Sequence, residues 1–226
     1  MSYKALFVDF YGTLVAEDEV VIQQILQRVA ERSVTADSIP AMARDWGRSF
    51  QELCSAAHGN NFKTQRSLEL KSLSYLLRKY ESDLDAVLLS EELFRYWRKP
   101  HAYEDATWFI ENASLPVCVV SNIDNDDLRA AIANVGWTFD NIVTSESCKS
   151  YKPRPEVFLR ALEAMNCEAT DVLHIGDSLG SDVTGALGVG IDAAWVNRSQ
   201  RGLPPGMNPP KYMVSDLGEL RHQLSM

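Results

Sequence analysis

The sequence predicts an α/β protein, with a doubly wound, Rossmann-like parallel sheet core and an inserted α-helical cap domain. Short apolar runs alternate with amphipathic helical segments from about residue 99 onward, and one further apolar run stands near the N-terminus. About eighty residues of helical periodicity lie between them. Alternating strands and helices imply right-handed crossovers and a parallel sheet. We therefore assign residues 1–14 and 99–226 to the core and residues 15–98 to the cap.

The first predicted strand, residues 5–8, is an unbroken apolar run that ends on Asp9 and is followed by a turn at Gly12. Such a run is typical of a strand that is buried on both faces of a parallel sheet. In open α/β sheets, ligands bind beyond the carboxyl ends of the strands. We therefore expect Asp9 to lie at the ligand-binding edge.

The elements that follow are predicted from the spacing of apolar residues. The cap helices cover residues 17–31, 40 to the break at His58, 68–80 and 83–97. Core helices cover 104–112, 124–135, 154–165, 181–187 and 217–224. Core strands cover 115–120, 141–143, 172–175, 193–196 and 213–214. The stretch 200–210, which is rich in Gly and Pro, is predicted to be a surface loop.

Composition limits the possible functions. The 226 residues are 46% hydrophobic and 23% charged, which is ordinary for a soluble globular protein. A net charge of −9 argues against nucleic-acid or membrane-surface binding, because phosphate contacts need clustered basic residues. The sequence shows no membrane-length apolar stretch, no signal-peptide pattern and no CxxC among its 4 cysteines. We expect a cytoplasmic protein, monomeric or homodimeric, that acts on a small molecule.

Polar side chains also follow the later predicted strands. They are Ser121 and Asn122 after one strand, Asp177 and Asp182 after another, and Lys152 in the loop between those strands. Since parallel strands end at one edge of a sheet, these groups are expected to converge on Asp9. A carboxylate can attack phosphorus or carbon and form an ester that water hydrolyses, and a nearby Lys152 would keep Asp9 ionised. The alternative is a structural salt bridge between Asp9 and Lys152.

This order of residues resembles the four motifs of the haloacid dehalogenase-like (HAD) hydrolase superfamily. The resemblance implies that Asp9 is the catalytic nucleophile and that Lys152 is the positioning cation. It also implies that Thr13 and Ser121 hydrogen-bond the nucleophile or the transferring group, as preorganised donors should. Asn122 is expected to contact substrate; alternatively, Ser121 or Asn122 caps the following helix.

The stretch GDSLGSD, which contains Asp177 and Asp182, resembles the fourth motif of Mg²⁺-dependent phosphatases. Mg²⁺ prefers oxygen ligands and accepts one or two carboxylates together with substrate oxygens. Asp9, the backbone carbonyl of Tyr11 and Asp177 are expected to form such a site, with Asp182 as a ligand or as support for one. The alternative is a pair of solvated carboxylates.

The first motif, DFYGT, departs from the phosphatase pattern, because Tyr11 stands where most phosphatases of the superfamily carry a second aspartate. A phenol is a poor base near neutral pH. The same string resembles L-2-haloacid dehalogenases, which use no metal and have a serine in place of Asp177. Those enzymes also place a cap arginine against the halide, and Arg44 and Arg48 lie in about the corresponding stretch. We expect Arg44, Arg48 and Tyr11 to contact substrate.

The repulsion between Asp9 and Asp177 favours the interpretation that the protein is a metal-dependent enzyme. Two carboxylates at about 4 Å repel each other by on the order of 1 to 4 kcal/mol, and a bound Mg²⁺ removes this cost. We therefore expect a Mg²⁺-dependent phosphatase of a small phosphorylated metabolite that works through a covalent aspartyl intermediate. A metal-independent 2-haloacid dehalogenase, or a related C–X hydrolase, is the alternative. A catalytically silent binding protein of the same fold is a third possibility, motivated by Tyr11.

Overall fold

The structure is a computed structural model that describes residues 3–224. Six strands in this part of the chain form one sheet in the order β3-β2-β1-β4-β5-β6, and every neighbouring pair is parallel. The strands are β1 (Ala5–Val8), β2 (Val117–Ser121), β3 (Asn141–Thr144), β4 (Val172–Gly176), β5 (Asp192–Val196) and β6 (Tyr212–Val214). The predicted α/β class and parallel sheet are confirmed. Residues 1–2 and 225–226, at the ends of the predicted core segments, lie outside the described residues.

Helices cover both faces of the sheet and form the inserted block. The block contains α1 (Glu19–Glu31), α2 (Ile39–Ala56), α3 (Gln65–Lys79) and α4 (Ala86–Arg98). The helices that follow are α5 (Glu104–Glu111), α6 (Asn125–Val135), α7 (Ser145–Cys148), α8 (Pro155–Met165), α9 (Thr184–Gly188) and α10 (Leu217–Leu224). No helix among the described residues is both long enough and apolar enough to span a bilayer.

Strand β1 lies at the centre of the sheet, between β2 and β4. All four of its residues are buried, as expected for a strand covered on both faces. The backbone N–H of Asp9 donates to the carbonyl of Ile175 at 2.9 Å, which continues the pairing of β1 with β4 past the end of β1. The chain order reverses on either side of β1, and a crevice for ligands opens at such a point.

The chain leaves and re-enters the core through a pair of adjacent segments. The backbone N–H of Ala16 donates to His101 O at 2.8 Å, and that of Tyr103 donates to Leu14 O at 3.0 Å. The buried apolar side chains of α1 to α4 join those of the sheet in one continuous cluster. The helical block therefore packs directly on the core, while its division at residues 14/15 and 98/99 as a domain remains a prediction.

Two local features differ from the sequence prediction. The helix predicted at 181–187 begins with a π-helical turn, Leu179–Val183, because the hydroxyl of Ser178 accepts from the Ser181 N–H at 3.1 Å and starts the helix early. The short helix α7 was not predicted, since four residues carry no readable periodicity. All four cysteines are free, and Cys118 is buried.

The close packing of α9 against α8 and the residues just before α8 can be tested at Gly185. A Cβ at this position would lie 2.5 Å from Cε2 of the buried Phe158 and 3.1 Å from Cα of Pro153. We expect Gly185→Ala to lower the free energy of unfolding by about 1–3 kcal/mol, because a packed core resists added volume. Gly188→Ala, on the same helix with nothing within 4 Å, is the matched control. Equal unfolding midpoints in urea for the two variants would contradict the packing described.

Candidate active site

The Lys152 ammonium lies at the centre of the candidate site. Its Nζ donates to Oδ1 of Asp9 at 2.8 Å, to Oδ1 of Asp182 at 2.6 Å and to the carbonyl of Val120 at 2.7 Å. An ammonium has three N–H donors, so each one is used. Lys152 is only 5% exposed, and Asp9 only 7%. The contact between Lys152 and Asp9 expected from the sequence is therefore present.

Asn122 holds the Lys152 backbone in place. Its Oδ1 accepts from the Lys152 N–H at 2.7 Å, and its Nδ2 donates to the Lys152 carbonyl at 3.1 Å. The side chain was predicted to contact substrate. Although Asn122 lines the cavity over Asp9, these two bonds occupy both ends of its amide. Its structural contribution is to fix the lysine loop to the end of β2.

The sequence analysis missed His174, which is fully buried in β4. Its Nε2 lies 3.0 Å from Oδ1 of Asp182, and because a carboxylate only accepts hydrogen bonds, the imidazole proton belongs on Nε2. The other oxygen of Asp182 accepts from the Ser178 N–H at 3.1 Å. A histidine inside an otherwise apolar strand was the available signal. His174 and the Ser178 N–H thus hold Asp182 in the position where it accepts a hydrogen bond from Lys152.

Asp177 approaches the turn after β1. Gly12 has φ +84°, and a Cβ there would lie 2.6 Å from Cγ of Asp177, so only glycine fits this close approach. The hydroxyl of Thr13 donates to Oδ1 of Asp177 at 3.5 Å. Thr13 was predicted to bond the nucleophile or the transferring group, whereas here its hydroxyl faces the neighbouring carboxylate. Trp195 fixes the backbone of Asp177 through an Nε1 bond of 2.8 Å to its carbonyl.

Burial and mutual repulsion set the pKa values of these carboxyl groups. Burial, followed by the charges of Asp182 and Asp9, raises the pKa of Asp177 from 3.8 to about 8. Burial also raises the pKa of Asp9, although Lys152 opposes the rise. Burial disfavours the charged form of Asp182 as well, but Lys152 and His174 together hold its pKa below the ordinary value. Despite the cost of burial, the two carboxylates raise the pKa of Lys152, which stays charged.

The acidic residues suit a divalent cation. Asp9, Asp177 and Asp182 each offer a carboxylate oxygen, and these atoms lie within 4.8 Å of one another. Three carboxylates with one ammonium leave negative charge uncompensated, and oxygen ligands are those that Mg²⁺ prefers. Both oxygens of Asp182 already accept hydrogen bonds. Asp9 and Asp177 are therefore the better candidates for direct ligands, with Asp182 holding Lys152.

A cavity of about 230 Å³ lies over Asp9. From the core it is lined by the predicted Tyr11, Ser121 and Lys152, among others. From the helical block it is lined by Asp18, Gln65 and Trp97, among others. Asp18 and Gln65 were not predicted to lie here, because their placement depends on how the helices pack together.

Tyr11 connects the core to the helical block. Its hydroxyl donates to the carbonyl of Trp97, at the end of α4. Burial and nearby carboxylates, Asp127 and Asp18 among them, raise the pKa of Tyr11 well above 10. The phenol therefore stays protonated near neutral pH and does not serve as a base.

The structure does not bring Arg44 and Arg48 into the site, where they were expected to contact substrate. Both are exposed on α2, and the guanidinium of Arg48 pairs with Asp45 at 3.0 Å. The buried face of α2 carries Met42 and Trp46. Positions two residues further along a helix point to the opposite side, which explains why neither arginine reaches the cavity.

Residues 3–190 match a family model described as haloacid dehalogenase-like hydrolase. The chain belongs to the haloacid dehalogenase-like hydrolases. The resemblance indicated by the four motifs is thereby confirmed. The geometry of the site is therefore interpreted as that of a hydrolase of this family.

Known relatives include both phosphatases and dehalogenases. N-acylneuraminate-9-phosphatase of Rattus norvegicus is 37% identical over 84 residues, which cover 36% of this chain and 34% of that protein. The (S)-2-haloacid dehalogenase H-109 of Pseudomonas putida is 27% identical over 113 residues, which cover 49% of this chain and 50% of that protein. The crystal structure of the L-2-haloacid dehalogenase RSc1362 has a TM-score of 0.81 at 18% identity and covers 100% of both chains. That likeness shows a shared fold. The chain thus spans about a third of the first relative's length and half of the second's.

The raised pKa of Asp177 predicts how stability depends on pH in protein treated with EDTA. The pKa is 3.8 in the unfolded chain and about 8 in the folded protein, so the unfolded chain loses this proton first as the pH rises. The contribution of the protonated Asp177 to the free energy of unfolding is fully present below pH 3.8. It is lost progressively as the pH rises to about 8. We expect Asp177→Asn to flatten this dependence and, at pH 8, to be more stable than wild type by several kcal/mol, because each unit of pKa difference corresponds to about 1.4 kcal/mol.

Guanidinium denaturation at a series of pH values measures this effect. Asp126→Asn is the matched control, because its carboxylate is 93% exposed on α6. Identical pH profiles for wild type and Asp177→Asn would contradict the proposed crowding of carboxylates.

Proposed function

We propose that this hydrolase is a Mg²⁺-dependent phosphatase of a small phosphorylated metabolite, with Asp9 as nucleophile. The supporting observation is the half-buried carboxylate of Asp177 beside Asp9, where Lys152 is already shared with Asp182. A metal-free enzyme that uses Asp9 alone would gain nothing from a second acid at this point. A divalent cation would offset the repulsion and give the phosphoryl oxygens a positive partner.

Asp9 is placed to attack phosphorus. Lys152 uses one N–H on Oδ1 of Asp9, which leaves the other carboxylate oxygen for the substrate. Attack forms the Asp9–phosphorus bond and breaks the bond from phosphorus to the alcohol oxygen, which leaves with a proton. Water then cleaves the aspartyl phosphate and regenerates the carboxylate. Ser121, at the end of β2, lines the cavity as a hydroxyl donor to the transferring group.

Mg²⁺ bound by Asp9 and Asp177 would supply charge neutralisation at the phosphoryl group. The leaving alcohol needs a proton, and Tyr11 keeps its own near neutral pH. That proton comes from water or from a carboxyl group of the helical block, of which Glu17 lines the cavity. Substrates with good leaving groups need no such acid and should be cleaved fastest.

Hydrolysis of p-nitrophenyl phosphate tests this proposal. We expect Mg²⁺-stimulated release of p-nitrophenol, lost on addition of EDTA and reduced by at least about 1,000-fold in Asp9→Asn, because no other group forms the covalent ester. Asp126→Asn serves as the control, since its side chain is remote and exposed. Full activity in EDTA, or in Asp9→Asn, would contradict the proposal.

A metal-independent 2-haloacid dehalogenase is the second candidate, favoured by Tyr11 in the DFYGT string and by the relative from Pseudomonas putida. In that reaction Asp9 would displace halide from carbon, and no leaving-group proton would be required. Chloride release from L-2-chloropropionate in EDTA, lost in Asp9→Asn, would favour this function. No release from a panel of haloacids would remove it.

A further inference from the structure

A second cavity, of about 210 Å³, lies within the helical block. It shares Asp18, Gln65 and Trp97 with the cavity over Asp9. These three side chains therefore border both spaces. A molecule whose phosphate lies at Asp9 can extend its remaining part toward this second cavity, which we call the cap cavity.

Two carboxylates line the cap cavity without a positive partner. Glu69 is only 7% exposed, and its Oε1 accepts from Nε1 of Trp46 at 2.9 Å. Asp18 accepts from Nε1 of Trp97 at 2.7 Å. Within residues 3–224, neither carboxylate forms an ion pair, and none of the residues lining the cavity is Lys, Arg or His. Buried carboxylates without such partners are costly.

Gln65 adds a further acceptor at the junction of the two cavities. Its Oε1 is buried and has no hydrogen-bond donor among the described residues. Gln65 and Glu69 lie one turn apart on α3, so their side chains share one face of the helix. A buried acceptor without a donor calls for one from a bound molecule. The junction thus presents a buried acceptor that has no donor.

Aromatic rings form much of the remaining wall. Trp46, Trp97 and Phe50 all border the cap cavity. Indole rings attract cations through their negatively charged faces, most strongly where water is excluded. Carboxylates and aromatic rings together form the kind of surface that binds ammonium groups.

We infer that the cap cavity binds the ammonium group of the substrate, so that the substrates are phosphate monoesters of amino alcohols. This inference rests on the proposed phosphatase function. The phosphate would lie at Asp9 and Lys152, and the ammonium would lie between Asp18, Glu69 and the indole rings.

The charges in the cap cavity favour an ammonium group over other substituents. An anionic substituent would face two carboxylates and no cation. Neutral hydroxyls could donate to the same acceptors but would leave the negative charge uncompensated. Burial, and then the charge of Asp18, raises the pKa of Glu69 to about 8; this group is largely protonated near neutral pH without a cation beside it, and an ammonium at this position would favour its ionised form.

Matched phosphate esters test the inference with the Mg²⁺-loaded enzyme. The probes are ω-aminoalkyl phosphates with two to five carbons, together with n-alkyl and ω-hydroxyalkyl phosphates of the same length. We expect kcat/KM for the best aminoalkyl phosphate to exceed that of both counterparts by at least about 10-fold, because only the ammonium compensates the carboxylates. Equal or higher values for the hydroxyalkyl esters would overturn the inference in favour of a polyol.

Glu69→Gln removes the charge while its amide oxygen still accepts from Trp46. We expect the ratio of aminoalkyl to alkyl kcat/KM to fall to within about 3-fold, with Asp18→Asn as a second variant that lowers the same ratio. Glu91→Gln is the matched control, since this glutamate is exposed on α4. An unchanged ratio in both Glu69→Gln and Asp18→Asn would overturn the inference.

A binding measurement separates this inference from the phosphatase proposal. Calorimetric titration of the metal-free protein with n-butylammonium chloride requires no turnover. We expect saturable binding that Glu69→Gln weakens by at least about 10-fold, Glu91→Gln preserves and n-pentanol does not reproduce. Absence of saturable butylammonium binding overturns the inference even if phosphate esters are cleaved. Butylammonium binding without hydrolysis of any phosphate ester, including p-nitrophenyl phosphate, identifies the phosphatase proposal as the failure.

Discussion

The ammonium of Lys152, shared between Asp9 and Asp182, is the interaction on which the rest of the site depends. A buried charge is tolerated only when it is paired and fully hydrogen-bonded, and all three N–H donors of Lys152 are used. The surrounding structure serves this contact, because Asn122 fixes the lysine backbone and His174 orients Asp182. Sharing one cation between two carboxylates leaves Asp177 without a positive partner, and this imbalance is the basis of the proposed divalent-cation site.

Most of the core and the grouping of its candidate site residues could be predicted from the sequence. Apolar runs identify strands that are buried on both faces. Polar residues that follow these strands lie at one edge of the sheet, and the loop that carries Lys152 reaches the same edge. Asp9, Asp177 and Lys152 therefore lie together, as expected. Local patterns do not specify how helices pack on one another. For that reason Arg44 and Arg48 were predicted to contact substrate although they lie on the exposed face of α2. For the same reason Asp18, Gln65 and Glu69 were not predicted to line a cavity. His174 was missed because a single polar residue within a strand does not reveal its partner.

The core and the helical block divide the chemistry between them. The core supplies the proposed nucleophile, the ammonium and the proposed oxygen ligands for a cation, all at one edge of the sheet. The helical block supplies the carboxylates and indole rings of the cap cavity, and it contacts the core directly where the Tyr11 hydroxyl bonds to the end of α4. Tyr11, which departs from the usual phosphatase motif, therefore has a structural contact that an aspartate at this position would be too short to make. Tyr11 thereby links the proposed reaction centre to the helical block that carries the cap cavity.

The most direct test of the central claim is a crystal structure of the protein soaked with Mn²⁺, with anomalous scattering used to locate the metal. We expect one strong peak bound by carboxylate oxygens of both Asp9 and Asp177 at about 2.1 Å, with Lys152 still bonded to Asp182. A soaked crystal with no peak at this position, or with Lys152 displaced from Asp182 by the metal, would contradict it.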